Sequence, residues 1–344
     1  MALEFLTPQD LTPALAQEIV RFLDSQETGH PFQLPRWADA DSRFALRRQA
    51  GRIRWFASYG LQFPLSTRLP WLRALTVNRG PVCDDINLWR AGLEELLQHA
   101  HENGFVYLDA APDRLHPSEC GGASLFGPEW KPLDKGRVSL RLDLAKSEEE
   151  ILAGLRKSTR YEVRRAERVG VNVGPSQEAA DVEEFLKLYS RLGGRKNFAT
   201  DSPDHLRGII QWLMTDPSRG ALLLARDQAS IAGGAVIVRC GKRCWYVWGA
   251  SDQHDRFSAG HLLQWRAILW AKAQDCTEYD FGGYTPGATS GPAWFKEGFG
   301  GDVVHFVPAH RRVLRRGYCR LSETLSKLRS SRLLASLQPP RQAP

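Results

Sequence analysis

The sequence lacks the features that would insert it into a membrane. Its 344 residues contain no run of about 18 apolar residues, the length that a membrane-spanning helix needs. The first residues, MALEFLTPQDLTP, have neither the basic region nor the apolar region of a signal peptide. We therefore expect a cytoplasmic protein without a transmembrane segment.

The sequence also lacks the common motifs of serine hydrolases, nucleotide-binding proteins and metalloenzymes. There is no G-x-S-x-G, no Walker loop, no G-x-G-x-x-G after a strand and no H-E-x-x-H. Its six cysteines form no CxxC and no Cys/His cluster with zinc spacing, which favours reduced thiols. We predict no metal and no bound cofactor.

Positive charge is plentiful but unevenly placed. The net charge is +7, and residues 311–344 hold nine Lys or Arg and one Glu, so the first 310 residues sum to about −1. Residues 311–334 are predicted to form a basic helix with intermittent leucines, which would dock on RNA or on an anionic membrane surface. Any other site for a polyanion must be local.

The basic segment LRKSTRYEVRRAERVG, at 155–170, is the obvious local candidate. Ser147 and Glu150 form a capping box, so the pattern predicts one helix over 147–170. In that helix Arg156, Arg160, Arg164 and Arg168 would form one row, although like charges at this spacing repel one another. The row is either a solvated face or an anion-binding site.

Two parts of the chain repeat the same pattern. LTVNRGP, a helix and FVYLDA lie in the first half, and CWYVWGAS, a helix and EYDFGG lie in the second. From Gly80 to Asp109 is 29 residues, and from Gly249 to Asp280 is 31. A strand, a loop, a helix and a strand at matched spacing indicate a duplicated α/β domain.

The second half reads β-α-α-β-β-β-α-β, the order of the N-acetyltransferase (GNAT) fold. We predict an α/β protein with mixed sheets and two tandem GNAT-like domains, at 1–146 and 147–310, followed by the basic helix and tail at 311–344. The second domain would open with the helix at 147–170. The segment at 256–262 resembles a degraded pyrophosphate loop, because Leu262 stands where a small residue is needed, and so argues against tight coenzyme A binding.

A glycine-rich segment, YDFGGYTPGATSGPAWFKEGFGG, carries Phe295 and Lys296 between flexible stretches. Lys296 could neutralise an oxyanion or a phosphate, and Phe295 could stack on a base. Alternatively, the aromatic residues fill the core and Lys296 is solvated. Local chemistry leaves both interpretations open.

Six segments together resemble the Fem (FemABX) family of aminoacyl-tRNA-dependent peptidyltransferases, which have tandem GNAT-like domains. In chain order they are FQLPRW, NRGPVCD, FVYLDAAP, LRKSTRYEVRRAERVGV, YDFGG and FKEGFGG. The family's coiled-coil arm is not seen, as in its shorter members. The resemblance implies direct aminolysis, in which an acceptor amine attacks the aminoacyl ester of a charged tRNA.

The resemblance also implies roles for particular residues. Lys296 and Asp109 are the predicted catalytic residues, the first for charge stabilisation and the second for steering or deprotonating the amine. The predicted substrate-binding residues are Arg160, Tyr161, Arg164, Trp37 and Tyr246. The predicted tRNA-binding residues are Phe295 and Lys296 from the resemblance, together with Arg311, Arg312, Arg315 and Arg316 from the basic segment at 311–334.

The acceptor and two rival functions stay open. Family members that build peptidoglycan have a lysine soon after the tryptophan of the first motif, but here Asp39 and Asp41 follow Trp37. The acceptor is therefore either a peptidoglycan precursor or a small natural-product amine. The rival functions are an acyl-CoA-dependent GNAT N-acyltransferase and a non-catalytic protein that binds RNA or a membrane surface.

Overall fold

A computed structural model describes residues 2–39, 41–63, 69–116, 125–196, 201–227, 230–252, 259–287, 289 and 291–319. The chain divides into two compact units. The first consists of Met1–Gly136 with Phe306–Pro344, and the second is Arg137–His305. Among the described residues, no helix combines the length and apolarity needed to cross a membrane.

The first unit contains one sheet of seven strands. They are β1 (Glu4–Leu6), β2 (Ser42–Gln49), β3 (Arg52–Gln62), β4 (Ala74–Asn78), β5 (Tyr107–Ala111), β6 (Lys131–Pro132) and, from the far end of the chain, β14 (His310–Val313). Their order in the sheet is β1-β2-β3-β4-β5-β14-β6. The pair β4–β5 is parallel and the other ladders are antiparallel.

Two helices, α1 (Pro13–Ser25) and α2 (Ile86–Glu102), belong to this unit. The α2 helix begins where Asp85 accepts hydrogen bonds from the backbone N–H groups of Asn87 and Leu88. Its buried face, which includes Trp89 and Leu93, packs in a core with residues of the sheet. The helix therefore connects the parallel strands β4 and β5, as the sequence pattern predicts.

The second unit contains another sheet of seven strands. They are β7 (Val138–Asp143), β8 (Asn172–Pro175), β9 (Gly220–Asp227), β10 (Ser230–Cys240), β11 (Arg243–Ser251), β12 (Glu278–Gly283) and β13 (Asp302–His305). Their order is β13-β7-β12-β11-β10-β9-β8, and β11–β12 is the parallel pair. The helices are α3 (Glu148–Gly154), α4 (Lys157–Arg168), α5 (Ala179–Lys196), α6 (Pro203–Thr215), α7 (Ala259–Ala273) and α8 (Gly291–Glu297).

The two sheets repeat each other strand by strand. In each, four strands are followed by a parallel fifth, β5 or β12, which a helix joins to its neighbour. An antiparallel strand, β14 or β7, then pairs with that fifth strand. The predicted tandem GNAT-like fold with mixed sheets is confirmed.

The two units exchange strands along the chain. Strand β7 follows β6 in sequence but pairs with β12 and β13 of the second sheet. Strand β14 follows β13 but pairs with β5 and β6 of the first sheet. The structural boundaries therefore differ from the predicted ones at 146 and 310, because these strands pair with partners distant in sequence.

The predicted basic helix at 311–334 does not begin where expected. Residues 310–313 form a strand because β5 offers them an edge with which to pair. Helix begins at residue 316 and continues to 319, where the description of this segment ends. The remainder of the predicted helix lies outside the described residues.

The predicted helix at 147–170 is two helices. The capping box is present, since Ser147 accepts a hydrogen bond from Glu150 N–H and the Glu150 side chain accepts one from Ser147 N–H. Leu155 and Arg156 then have extended backbone, with ψ of 145° and 140°. The Arg156 N–H donates to Gly298 O at 2.9 Å, so a contact distant in sequence ends the helix there.

Candidate active site

The parallel strands β11 and β12 pair over only part of their length. Their ladder runs from Arg243↔Glu278 to Trp245↔Asp280. Beyond it, the register of β11 against β10 shifts between Val236 and Ile237, which are partnered with Trp248 and Tyr246. This bulge redirects β11 just where its ladder with β12 ends.

Lys296, on α8, lies beside this point. Its Nζ donates a hydrogen bond to Gly283 O at 2.7 Å and lies 6.0 Å from the centre of the Tyr246 ring. Burial lowers the pKa of Lys296 to about 8, and the charge of Asp280 partly opposes this effect. The residue is half-buried and mostly protonated at neutral pH.

Tyr246 forms one side of the same place. An added Cβ at Gly249 would lie 1.7 Å from the Tyr246 hydroxyl, so glycine is needed there for the ring to fit. Burial raises the pKa of Tyr246 to about 12, which keeps the hydroxyl protonated. The structure thus brings together Lys296 and Tyr246, one predicted as catalytic and the other as substrate-binding.

Phe295 and Trp294 differ in exposure. The Phe295 ring packs against His261 and Phe299, with ring centres 5.0 and 5.3 Å apart. This contact fits the alternative in which Phe295 fills the core. Trp294 is 45% exposed, and the Arg156 guanidinium lies 3.5 Å from its ring centre. Trp294 was not among the predicted site residues, although its position next to Phe295 and Lys296 in the sequence was a usable signal.

The predicted arginine row is not one row. Arg156 precedes α4 and contacts Trp294 O at 3.2 Å and Glu297 at 3.5 Å. Arg160 turns back to donate to Ala153 O at 2.7 Å, at the end of α3. Its guanidinium therefore stabilises a helix end.

One face of α4 carries exposed basic and aromatic side chains, and it includes Arg164 and Arg168 of the predicted row. Lys157, Tyr161, Arg164 and Arg168 lie at intervals of four, three and four residues, which is one helical stripe. All four are exposed, and Tyr161 is 56% exposed. Of the predicted phosphate contacts, Tyr161 and Arg164 are thus presented to solvent.

Asp109, in the first unit, forms an ion pair with Arg311. The Arg311 guanidinium donates to both carboxylate oxygens, Nε to Oδ1 at 2.7 Å and Nη2 to Oδ2 at 2.9 Å. It also lies 3.6 Å from the centre of the Tyr107 ring. The pair is largely buried, so in this structure the Asp109 carboxylate and the Arg311 guanidinium are bonded to each other rather than presented to a substrate or a phosphate.

The other predicted tRNA-binding arginines divide into two groups. Arg312 forms an ion pair with Glu129, so its guanidinium would have to leave that carboxylate to contact an RNA phosphate. Arg315 and Arg316 are exposed, as RNA contacts would be. The predicted membrane-surface segment at 311–334 continues beyond the described residues.

Trp37 lies in the first unit on a short turn of helix, Pro35–Trp37. Its ring centre is 4.9 Å from that of Phe32. The neighbouring Gln33 is fully buried and donates to Ser58 O at 3.0 Å and to Asn78 O at 2.7 Å. The FQLPRW motif is thus held in place by its glutamine.

The predicted site residues therefore fall in both units. Lys296, Phe295, Tyr246, Arg160, Tyr161 and Arg164 belong to the second, and Asp109, Trp37, Arg311, Arg312, Arg315 and Arg316 to the first. Residues 256–258 of the degraded loop lie outside the described residues, and its remaining residues, 259–262, form the start of α7.

Comparisons with known proteins match these features. Residues 153–297 match the model of the acetyltransferase (GNAT) domain. Over 149 residues the chain is 23% identical to the UDP-N-acetylmuramoylpentapeptide-lysine N(6)-alanyltransferase of Weissella viridescens, a match that covers 43% of this chain and 44% of the relative. Over 108 residues it is 23% identical to the aminoacyltransferase FemA of Staphylococcus epidermidis, which covers 30% and 26%. Over part of its length the chain is thus similar to aminoacyltransferases that include FemA.

Two solved structures have the same fold as this chain. The crystal structure of FemX superposes with a TM-score of 0.74 at 18% identity, covering 92% of this chain and 99% of that one. The structure of L-PGS from Bacillus licheniformis gives a TM-score of 0.59 at 14% identity, covering 93% and 98%. The predicted resemblance to the Fem family is confirmed, although the sequence matches span less than half the length of these curated relatives.

Proposed function

We propose that the protein is an aminoacyltransferase that moves an aminoacyl group from the ester of a charged tRNA to an amine of a peptidoglycan precursor. The observation that carries the proposal is Lys296, a half-buried cation beside Gly283 and Tyr246, close to where the β11–β12 ladder ends. The name of the Weissella viridescens relative, an alanyltransferase for a lysine of UDP-N-acetylmuramoylpentapeptide, supports this acceptor over a small natural-product amine. We place the reaction in the cytoplasm, where charged tRNA is found.

The proposed reaction is aminolysis of an ester. The acceptor nitrogen forms a bond to the ester carbonyl carbon, and the carbon–oxygen bond to the ribose then breaks. The proton lost by the amine ends on the ribose hydroxyl, so no other reactant is needed. The Lys296 ammonium group stabilises the negative charge on the carbonyl oxygen in the tetrahedral intermediate.

The exposed stripe on α4 is proposed to bind phosphates. Lys157, Arg164 and Arg168 supply positive charge to solvent, and Tyr161 supplies a flat ring between them. Such a mixture of cations and aromatic rings suits a nucleic-acid backbone or a sugar-nucleotide diphosphate.

We further propose that Trp294, rather than Phe295, stacks on a base at the tRNA 3′ end. Phe295 is packed against two rings, whereas Trp294 is exposed and is contacted by the Arg156 guanidinium. Stacking on an exposed indole would fix the single-stranded end next to Lys296.

This proposal is tested with an acceptor-stem RNA hairpin, with and without its single-stranded 3′ overhang. Trp294→Ala should weaken binding of the overhang form at least about fivefold, the lower end of the contribution of one stacked base, and should leave the blunt form unaffected. Trp71→Ala is the matched control, since Trp71 is 57% exposed in the first unit. Equal loss for both RNA forms would contradict stacking, and no RNA binding at all would contradict the tRNA donor.

A second candidate function is acyl-CoA-dependent N-acyl transfer. It is favoured by the match of residues 153–297 to an acetyltransferase domain. Calorimetric titration with acetyl-CoA separates the two functions. Tight binding of acetyl-CoA together with feeble binding of tRNA would favour this second candidate.

A further inference from the structure

Two fully buried polar side chains lie behind Lys296, on strands that the proposed chemistry does not use. They are Ser139 on β7 and Asp280 on β12, both with 0% exposure. A buried carboxylate is costly unless hydrogen bonds and a cation compensate it. Its contacts therefore indicate what it stabilises.

The contacts of Asp280 converge on the backbone of Gly282. The Gly282 N–H donates to Asp280 Oδ1 at 2.8 Å. The Ser139 hydroxyl contacts that same oxygen and lies 2.9 Å from Gly282 O. Arg141 Nε donates to the other carboxylate oxygen, Oδ2, at 3.1 Å.

These contacts hold Gly282 at a bend in the strand. Its φ is +72°, a left-handed conformation that glycine adopts readily. The register of β12 against β7 shifts between Asp280 and Gly283, so the strand bulges there. The bulge places Gly283 O 2.7 Å from Lys296 Nζ.

We infer that Asp280, together with Ser139, is a positioning residue for Lys296. The pair fixes the Gly282–Gly283 backbone that receives the ammonium group, and its buried negative charge helps to keep that group protonated. The inference rests on the proposed function only for the consequence that transfer slows when the pair is removed.

The first unit provides an internal comparison. Asp109 on β5 and Arg311 on β14 occupy the positions of Asp280 and Arg141 in the repeated sheets. There Arg311 takes both carboxylate oxygens, and Ala309 lies two residues before it, where β7 has Ser139. In the second unit Arg141 bonds one oxygen of Asp280, which leaves the other for Gly282. The positioning contact is thus specific to the unit that contains Lys296.

The charged and titratable groups around Lys296 are distributed over several elements. Asp280 on β12 is the group whose charge raises the pKa of Lys296 against the effect of burial. On α8, Glu297 is engaged by Arg156 and by the Tyr284 hydroxyl.

Two further groups face this region. Tyr246 on β11 stays neutral because burial raises its pKa to about 12. On α7, His261 packs against Phe295. Removing the Asp280 charge is therefore the change that should move the titration of Lys296.

The experiment is competitive labelling of lysines in the full chain with trace acetic anhydride across pH 6 to 11, read by mass spectrometry at Lys296. Asp280→Asn should lower the apparent pKa of Lys296 by about half a unit or more. Glu278→Gln is the matched control. It removes a charge two residues earlier on β12, where Glu278 pairs with Arg141 and Arg243, and should leave the titration unchanged. Equal titration in wild type and Asp280→Asn would overturn the inference.

A second variant guards against failure of Asp280→Asn to fold. Ser139→Ala retains the Asp280–Arg141 pair and should speed hydrogen exchange at the Gly282 N–H. Under the proposed function it should also slow transfer about fivefold, the effect of one lost hydrogen bond. Unchanged exchange at Gly282 would overturn the inference. Labelling and exchange need no substrate, so a failure of the proposed function would appear separately, as absent transfer by the wild type.

Discussion

The chemistry proposed for this protein depends on one ammonium group in a partly desolvated place. Burial lowers the pKa of Lys296 to about 8, so the group is charged at neutral pH but close to losing its proton. A cation in such surroundings acts more strongly on a developing oxyanion than a fully solvated one does. Its titration should therefore be visible in the reaction.

The transfer rate, expressed per deprotonated fraction of the acceptor amine, should fall as pH rises through about 8, because Lys296 loses its proton there and the deprotonated amine cannot stabilise an oxyanion. Single-turnover rates between pH 6.5 and 9.5, corrected for spontaneous ester hydrolysis, give this profile. Lys296→Arg is the control, since a guanidinium keeps its charge throughout this range and the descending limb should vanish. A descending limb that persists in Lys296→Arg would assign the titration to another group.

Arg160 and Arg164 should behave differently although they are four residues apart. Arg160→Ala should destabilise the fold by about 1 kcal/mol, because its guanidinium donates to Ala153 O at the end of α3. Arg164→Ala should leave stability unchanged but reduce the salt dependence of anion binding by about one unit of slope. Denaturant unfolding and binding at several salt concentrations measure the two effects. The same salt dependence in Arg164→Ala and wild type would make the α4 stripe a solvated face.

At the scale of elements, the site depends on how closely α8 approaches α4. An added Cβ at Gly298 would lie 2.2 Å from Thr159 Oγ1, so the two helices can meet only with glycine at this position. The Arg156 N–H also donates to Gly298 O at 2.9 Å. Gly298, which directly follows α8, thus allows α8 to pack against α4.

Gly298→Ala should destabilise the protein by about 1–3 kcal/mol and reduce transfer, because the added methyl group forces α8 away from α4. Thermal unfolding and single-turnover rates measure the two losses. Adding Thr159→Ala should recover part of both, since it removes the oxygen that clashes. Gly208→Ala is the control, because an added Cβ there has nothing within 4 Å, and it should be neutral or slightly stabilising. Full stability in Gly298→Ala would contradict the close approach.

The sequence was informative about elements whose signals are local. The capping box at Ser147 is a short-range pattern, and the helix begins there as predicted. The break at Leu155 was missed because its cause, the hydrogen bond from Arg156 to Gly298, joins residues distant in sequence. For the same reason the side chain of Arg160 was placed on a surface row rather than at the end of α3.

For the whole molecule, the duplication was predictable and the exchange of strands was not. Matched spacing from Gly80 to Asp109 and from Gly249 to Asp280 is visible in one sequence. The partners of β7 and β14 are not, because nothing local shows which sheet edge a short strand joins. The Fem resemblance located Lys296 and Asp109, yet only the structure shows that Arg311 holds Asp109.

The Asp109–Arg311 pair should contribute to the stability of the first sheet, since it ties β14 to β5. Arg311→Gln should cost about 2–4 kcal/mol, because it leaves a largely buried carboxylate without its cation. Hydrogen exchange should accelerate in β5 and its neighbours, and adding Asp109→Asn should recover part of the loss. A catalytic-base role for Asp109 would instead give Asp109→Asn slow transfer with full stability.

The central claim is tested most directly by following the aminoacyl group itself. Purified protein is mixed with tRNA charged with labelled amino acids and with UDP-N-acetylmuramoyl-pentapeptide or lipid II, and labelled acetyl-CoA is supplied in parallel as the rival donor. The account predicts that label passes from tRNA to the acceptor amine, and that Lys296→Ala slows this step at least about tenfold. Label that reaches the acceptor only from acetyl-CoA, or a rate unchanged in Lys296→Ala, would contradict it.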